Sequence, residues 1–396
     1  MTFWGRIAVI GVNQQNMNGT NKFLVLKTIA TQGPITRVEL SRLTGLSKMT
    51  LTTLTGEYIE NGILRECGTT DSKAGRKPVL LEAVPESLLT LGVDIGRDAV
   101  EVGIVDLCGG VRRYEYASMS RITSNAALLS EIMRLCDAML AEVGRDKVWG
   151  IGVASIGPLD FKNGVILSPS DFNGIEYVPI VDVLQKRYGL PAYLGNDMCV
   201  SALAELYFGR GRNLSDFIYL GVSGGIGAGV VLDRELYRGV RGFAGTVGHN
   251  EVVPGGELCL CGRRGCFEAY SSVRAGVRWA RMNGAPEDLT WPMLLEQASD
   301  GDEVCLRALD RMYLYIEKVI LNAVNVLDVS HVFLGGDIWY GGKFFVDRLN
   351  SAITDKQAIN TIGPTAQVAL SQFSSNASFI GTAALVMENN LGKTAV

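Results

Sequence analysis

His249, Cys259, Cys261 and Cys266 fall within one short run, Gly245–Glu268, which reads GTVGHNEVVPGGELCLCGRRGCFE. The whole chain has only two histidines and eight cysteines, so this grouping is dense. An imidazole and three thiolates suit tetrahedral zinc, with Zn–S near ~2.3 Å and Zn–N near ~2.0 Å. Four protein ligands fill the coordination sphere, so the expected ion is a structural Zn2+. Gly255, Gly256, Gly262 and Gly265 let the backbone turn back over so short a span. The alternative is a set of buried free thiols beside an unrelated histidine. The C-x-C-x4-C spacing with a histidine nearby favours the metal.

Asn196-Asp197 is a second chemistry-bearing pair, placed between an expected strand and an expected helix. A carboxylate there can take a proton from a bound hydroxyl. An Asn-Asp pair in that position also serves as a helix cap. Two glycine-rich turns, Gly221–Gly229 (GVSGGIGAG) and Leu334–Asp337 (LGGD), could bring backbone amides against phosphate, although plain hairpins use the same glycines.

The elements that carry these residues differ between the two ends of the chain. Near the start, Lys22–Ala30 is an apolar-rich helix ended by Gly33-Pro34. A second helix begins at Thr36, where Thr36-Arg37-Val38-Glu39 has the form of a capping box, and it ends at Gly45. Ser47 can cap a third, Lys48–Asn61, whose Leu51, Leu54, Tyr58 and Ile59 share one face. Its opposite face presents Lys48, Thr50, Thr53 and Glu57. Two helices joined by a short glycine turn form the helix-turn-helix pattern. Ile63–Cys67 and Val79–Val84 then flank a polar tip with Arg76 and Lys77, a two-stranded wing whose tip suits phosphates or the minor groove. A generic three-helix domain with a solvated basic loop is the alternative. The cap, the turn glycine and the wing together favour DNA. Arg37, Ser47, Lys48, Thr50, Thr53, Arg76 and Lys77 are the candidate DNA contacts.

From about Leu88 the chain turns to short Val/Ile/Gly-rich strands alternating with helices. Leu91–Ile95, Val100–Asp106, Val148–Ala154, Ala192–Leu194, Phe217–Val222 and Val329–Leu334 read as buried strands. Ala126–Val143, Cys199–Phe208 and Glu303–Leu327 read as helices. The alternation predicts an α/β body with two lobes.

Charge follows the same division. Residues 20–82 carry a net +3 and the first nineteen +1, which leaves −8 for the rest of a chain whose total is −4. A basic head on an acidic body suggests nucleic acid for the head and another task for the body. No apolar run approaches the ~18–20 residues of a membrane helix. The apolar start Phe3–Ile10 is too short for a signal peptide, and clustered thiols fit a reducing compartment. The cytoplasm is expected, with no membrane partner.

Together the Gly245–Glu268 run, Asn196-Asp197, GVSGGIGAG, Gly150–Pro158 (GIGVASIGP) and LGGD resemble the motifs of the ROK family, which joins repressors with sugar kinases. The head resembles that of its NagC/XylR-like repressors in Ile35–Leu46 (ITRVELSRLTGL) and Gly75-Arg76-Lys77-Pro78. The resemblance implies a winged helix-turn-helix at 1–84 and, at 88–396, an actin-like ATPase body of the sugar kinase and ribonuclease H type. Lobe one is expected at about 88–200 plus the C-terminal helix, lobe two at about 201–375, and the zinc motif at 249–266. It further implies a sugar site between the lobes, formed by Asn196, Asp197, His249 and Glu268, with Asn173 and Thr246 beside them. A sugar or sugar-phosphate effector, double-stranded operator DNA and a homodimer or homotetramer complete the implied partners.

Two departures bear on activity. Family kinases open their phosphate loop with Asp-x-Gly-Gly-Thr, whereas this chain reads Asp94-Ile95-Gly96-Arg97-Asp98. Arg97 adds bulk where backbone should approach phosphate, and ionised Asp98 has no donor and repels a polyphosphate. The nucleotide site therefore reads as impaired and the chain as a regulator, not an enzyme. Were it a kinase, Asp197 would be the general base. Thr246 stands where the family commonly has a glutamate, three residues before the zinc histidine, which should alter sugar preference.

Overall fold

The structure is a computed structural model that describes residues 14–69, 77–357 and 366–391. The chain divides into two compact units, residues 1–87 with 387–396, and residues 88–386.

The first unit is a winged helix-turn-helix. Helices α1 (Gln14–Gln32), α2 (Arg37–Thr44) and α3 (Lys48–Glu60) pack beside a three-stranded sheet of β1 (Ile35–Thr36), β2 (Leu64–Thr69) and β3 (Val79–Ala83), in the order β1-β3-β2. The local chemistry accounts for the helix ends. Thr36 caps α2 by accepting the Glu39 N–H at 3.2 Å, and Gly45 ends it at φ 70°, a left-handed conformation suited to glycine. Ser47 caps α3 by accepting the Thr50 N–H at 3.1 Å. Leu51, Leu54 and Tyr58 are buried as the period requires. Ile59 is only half-buried, and Thr55 takes the expected place in the core. Thr55 can be buried because its hydroxyl donates to Leu51 O at 2.7 Å and accepts Arg37 Nε–H at 3.0 Å.

The second unit is built on two five-stranded sheets. In the first, β4 (Leu89–Ile95), β5 (Ala99–Val105) and β6 (Val111–Ser118) form an antiparallel meander, and β7 (Val148–Ser155) and β10 (Ala192–Asn196) add in parallel on the far side of β4. Between them come α4 (Asn125–Val143), the small hairpin β8 (Leu159–Asp160) with β9 (Val165–Ile166), and α5 (Ile180–Tyr188). α6 (Asp197–Tyr207) follows β10 directly.

The second sheet repeats the pattern. β11 (Phe217–Val222), β12 (Ile226–Leu232) and β13 (Glu235–Leu236) are the meander, and β14 (His331–Gly335) and β15 (Gln367–Leu370) add in parallel. Its helices are α7 (Phe267–Ser271), α8 (Val273–Met282), α9 (Trp291–Ser299), α10 (Glu303–Leu327) and α11 (Gly342–Gln357). A meander followed by parallel strands, used twice, is the actin-like architecture. β4, β7 and β11 are nearly or wholly buried along their length, so they read as continuous apolar runs and not as alternation.

The last helix, α12 (Ala377–Leu391), lies on the first sheet through glycines. A Cβ on Gly152 would come within 2.5 Å of Thr382 O, and one on Gly381 within 2.0 Å of Val200 O. A larger residue at Gly152 would push α12 off the sheet, and one at Gly381 would push it off α6, which begins at Asp197 of the cleft.

Candidate functional site

A cleft of about 600 Å³ opens within the second unit, lined from both sheets. The carboxyl end of β4 supplies Asp94, and the junction of β10 with α6 supplies Asn196 and Asp197. The β11–β12 turn supplies Ser223 to Ile226, and the 3-10 turn Val247–His249 together with α7 supplies His249 and Glu268. Ligands of α/β sheets commonly bind outside the carboxyl ends of strands in this way.

Asn196 and Asp197 are held by the helix they begin. Asn196 Oδ1 accepts the Met198 and Cys199 amides at 3.2 and 3.4 Å, and its Nδ2 donates to Asp197 Oδ1 at 2.7 Å. Burial pushes the Asp197 carboxyl up to about 6, against the Met198 N–H and the charge of Arg97, which favour ionisation. Burial raises Asp94 further, to about 8, although Ser378 Oγ donates to it. Asp337 is also raised by burial, and its N–H donates to Ser223 Oγ at 2.9 Å.

The cysteine-rich run folds into a tight loop beside this cleft. Cys259 N–H donates to Arg263 O at 2.8 Å, and Gly265 N–H to Glu257 O at 2.8 Å. Gly265 has φ 76°, and a Cβ there would lie 1.9 Å from Val253 O, so only glycine fits. The loop brings four donor atoms within 4.8 Å of one another. Cys261 Sγ is 3.7 Å from Cys266 Sγ, and Cys259 Sγ is 3.8 Å from His249 Nδ1. Around a tetrahedral ion with bonds of ~2.3 Å, neighbouring sulfurs stand about 3.8 Å apart. The donor set and its spacing fit a metal ion of that kind. Cys266 is also the residue just before α7, so the loop fixes where Glu268 projects. Glu268 Oε2 accepts the Ile226 N–H at 2.9 Å, tying α7 to the β11–β12 turn.

The structure thus brings Asn196, Asp197, Thr246, His249 and Glu268 to one cleft, which Arg97 and Asp98 also line. Thr246 is exposed there and donates to Phe243 O at 2.7 Å. Asn173 does not line the cleft. It sits at φ 50° and spends its Nδ2 on the Met119 and Ile122 carbonyls, at 2.9 Å each. Ser223 and Asp337, which belong to the two glycine-rich turns, also line the cleft, as does Ser378, which no motif marked. Their contacts join positions more than a hundred residues apart, which no periodicity reports.

On the head, Lys48, Thr53 and Lys77 are exposed and Thr50 half-exposed. The Ser47 and Thr50 hydroxyls are 2.9 Å apart, and Thr53 donates to Met49 O at 3.2 Å. Arg37 bonds Thr55 and reaches Glu66 Oε1 at 3.3 Å, bracing α2 against α3 and the wing. Arg76 lies outside the described residues. Val38 and Met49, 61 % and 81 % exposed, add apolar surface to α2 and α3 that helix periodicity alone would have marked as facing outward.

Residues 90–389 match the family described as ROK. The chain belongs to the ROK family. Among its ROK relatives, the xylose repressor of Caldicellulosiruptor bescii is 30 % identical, over 96 % of this chain and 98 % of the relative. A crystal structure of a ROK transcriptional regulator, described as a homologue of the Escherichia coli MLC protein, superposes with TM-score 0.78 at 23 % identity, covering 94 % of this chain and 96 % of that one. The ROK glucokinase of Streptomyces griseus, solved with glucose and AMPPNP, superposes with TM-score 0.67 at 27 % identity, covering 75 % of this chain and 98 % of the kinase. The quarter of this chain that the kinase leaves uncovered is about what the head requires.

Proposed function

We propose that this ROK protein is a DNA-binding transcriptional repressor of carbohydrate genes, released or engaged by a sugar or sugar derivative bound in the cleft. The observation that carries the reading is the joining of a winged helix-turn-helix to a cleft with paired carboxyls and amides. Residues 1–84 would bind operator DNA and residues 88–396 would sense the effector. Asn196, Asp197, His249 and Glu268 suit a polyol, since between them they accept from and donate to adjacent hydroxyls. Thr246, which lines the cleft, would tune that preference. The names of curated relatives, repressors over nearly the full length, support the same reading. Gel-shift titration at stated salt is the test, with and without a sugar panel. Binding to a candidate operator no tighter than to random DNA would remove the proposal.

Zinc is the metal that the His249, Cys259, Cys261 and Cys266 set would hold, since three thiolates and one imidazole close its tetrahedral sphere. It would supply a rigid anchor rather than reactivity. His249 faces the sulfurs through Nδ1, which leaves the other ring nitrogen for the cleft. A cytoplasmic homodimer or homotetramer binding paired half-sites completes the proposal. Among the described residues no helix is long and apolar enough to cross a membrane.

A kinase is the second reading, favoured by one observation: Asp197, raised to about 6, is poised as a general base near neutral pH. Against it, Arg97 and Asp98 occupy the loop where phosphates would approach the backbone. Phosphate transfer from ATP to a hexose, lost in Asp197→Asn, would establish the kinase. Sugar binding without turnover would establish the sensor.

A further inference from the structure

β6 (Val111–Ser118) is the outer strand of the first sheet, with β5 on one side and no strand on the other among the described residues. At eight residues it is the longest edge of the two five-stranded sheets, since β10 has five, β15 four and β13 two. Edges are commonly kept short because their free N–H and C=O groups recruit other strands. Met119 N–H donates to Asp98 O at 2.9 Å, one step beyond the Ala99–Ser118 pair. Bonded and non-bonded pairs alternate along an antiparallel ladder, so Ala117, Glu115 and Arg113 bond β5. Tyr116 and Tyr114 therefore turn their N–H and C=O groups outward.

The side chains along this edge match their own reverse order. Tyr114 and Tyr116 stack on one face with centroids 6.4 Å apart, and they are 41 % and 66 % exposed. On the other face Arg113 reaches Glu115 at 3.3 Å and Glu142 of α4 at 3.4 Å. Laid antiparallel on a copy of itself about Tyr114, the strand sets Arg113 opposite Glu115 of the second copy. The reverse pair follows by symmetry. Tyr114 then meets Tyr114, and their outward N–H and C=O groups exchange both hydrogen bonds of a bonded pair. Moving the axis to either neighbouring residue would set Arg113 against Arg113 or Glu115 against Glu115, which disfavours those registers. A guanidinium has five donors, so Arg113 can serve a second carboxylate without leaving Glu142.

We propose that β6 is the surface on which a second copy of this chain pairs, antiparallel across a two-fold axis at Tyr114, joining two five-stranded sheets into one. The homo-oligomer reading given above is its premise, to which it adds the surface and the register.

Sedimentation of the full chain over a range of concentrations, at low and high salt, tests it. Glu115→Arg places two like-charged pairs across the axis and is expected to raise the dissociation constant at least about tenfold. Arg113→Glu combined with Glu115→Arg reverses both charges and should recover most of the affinity. Tyr116→Pro removes an outward N–H while sparing every bond to β5, and should also weaken association. A wild-type tetramer should fall to dimers in Glu115→Arg, which would make β6 one of its two interfaces. An oligomer that ignores Glu115→Arg and Tyr116→Pro overturns the inference and leaves the homo-oligomer standing. A wild type that sediments as a monomer throughout overturns both. Hydrogen exchange of the wild type needs no variant, so poor folding of one does not blunt the test. Amides of 111–118 should exchange more slowly in the oligomer than in the diluted chain, and exchange there that does not change on association overturns the pairing.

Discussion

Asn196 and Asp197 act as one unit: Nδ2 of Asn196 donates to Oδ1 of Asp197 at 2.7 Å while Asn196 Oδ1 caps α6. Helix cap and the proposed ligand contact are therefore not competing roles here. The cap fixes the backbone, and the spare amide hydrogen aims the carboxylate at the cleft. The same arrangement ties the site to α6, which also packs on β11 and β12 of the second sheet.

The two residues should consequently fail in different ways. Asp197→Ala is expected to weaken sugar binding roughly five- to 150-fold, because a buried hydroxyl left unpaired costs ~1–3 kcal/mol. Its effect on melting should be small. Asn196→Ala removes the cap and should lower stability by about 1 kcal/mol, with weaker sugar binding following from a misaimed carboxylate. Calorimetry with sugar and thermal melting without it, run on both variants, check the division. If ionised Asp197 is the acceptor, wild-type affinity should also fall as pH drops through about 6.

Metal removal should act on the cleft through Glu268. The loop that holds Cys259, Cys261 and Cys266 runs directly into α7, so losing the ion frees the residue that pins the β11–β12 turn. One zinc per chain by elemental analysis is expected of protein purified under reducing conditions. Chelation, or Cys261→Ser, should lower the melting temperature and abolish sugar binding, while an isolated head should bind DNA as before. Full sugar affinity in metal-free protein would contradict this coupling.

Much of this fold was legible in the sequence, for identifiable reasons. The strand expected at Phe217–Val222 and the helix at Glu303–Leu327 appear with those bounds, because buried apolar runs and a long amphipathic period leave little room for another choice. The clustering of His249, Cys259, Cys261 and Cys266 was legible because the four lie close in sequence. The Arg97–Gly225 approach, Ser378 on Asp94 and Ser223 on Asp337 were not, since they arise between the two sheets, between the last helix and β4, and between β11 and β14, segments far apart in sequence. Arg37 shows a different limit. It was named as a candidate DNA contact, and the sequence could not reveal that Thr55 and Glu66 engage it.

Asp94 gives the body a pH signature. Its folded value, about 8, lies above its ordinary 3.8, so the folded state holds a proton that the unfolded chain releases through the window between them. Stability contributed by this group is therefore lost progressively as pH rises from about 4 to 8. Asp94→Asn keeps an acceptor for Ser378 and carries no charge to bury. Its melting temperature should exceed that of the wild type by more at pH 8 than at pH 5. A difference that is constant across that range would show that Asp94 is ionised in the folded protein.

On the head, exposed Lys77 and the α3 hydroxyls should separate by what they read. Lys77 follows the wing tip and presents a point charge, so Lys77→Ala should weaken binding to every sequence alike. It should also reduce the slope of log K against log salt by about 1. Thr53→Ala, and Met49→Ala on the neighbouring exposed position, should change which bases are preferred and leave that slope unaltered. Arg37→Ala belongs to neither class. It removes the hydrogen bond to Thr55, worth about 1 kcal/mol, and a half-exposed pair with Glu66 worth less. Its loss of DNA affinity should therefore be accompanied by a lower melting temperature of the head. A selection from randomised operators with each variant, paired with melting curves, distinguishes the three behaviours. An Arg37→Ala head that melts normally but loses sequence preference would return that arginine to the set of base contacts.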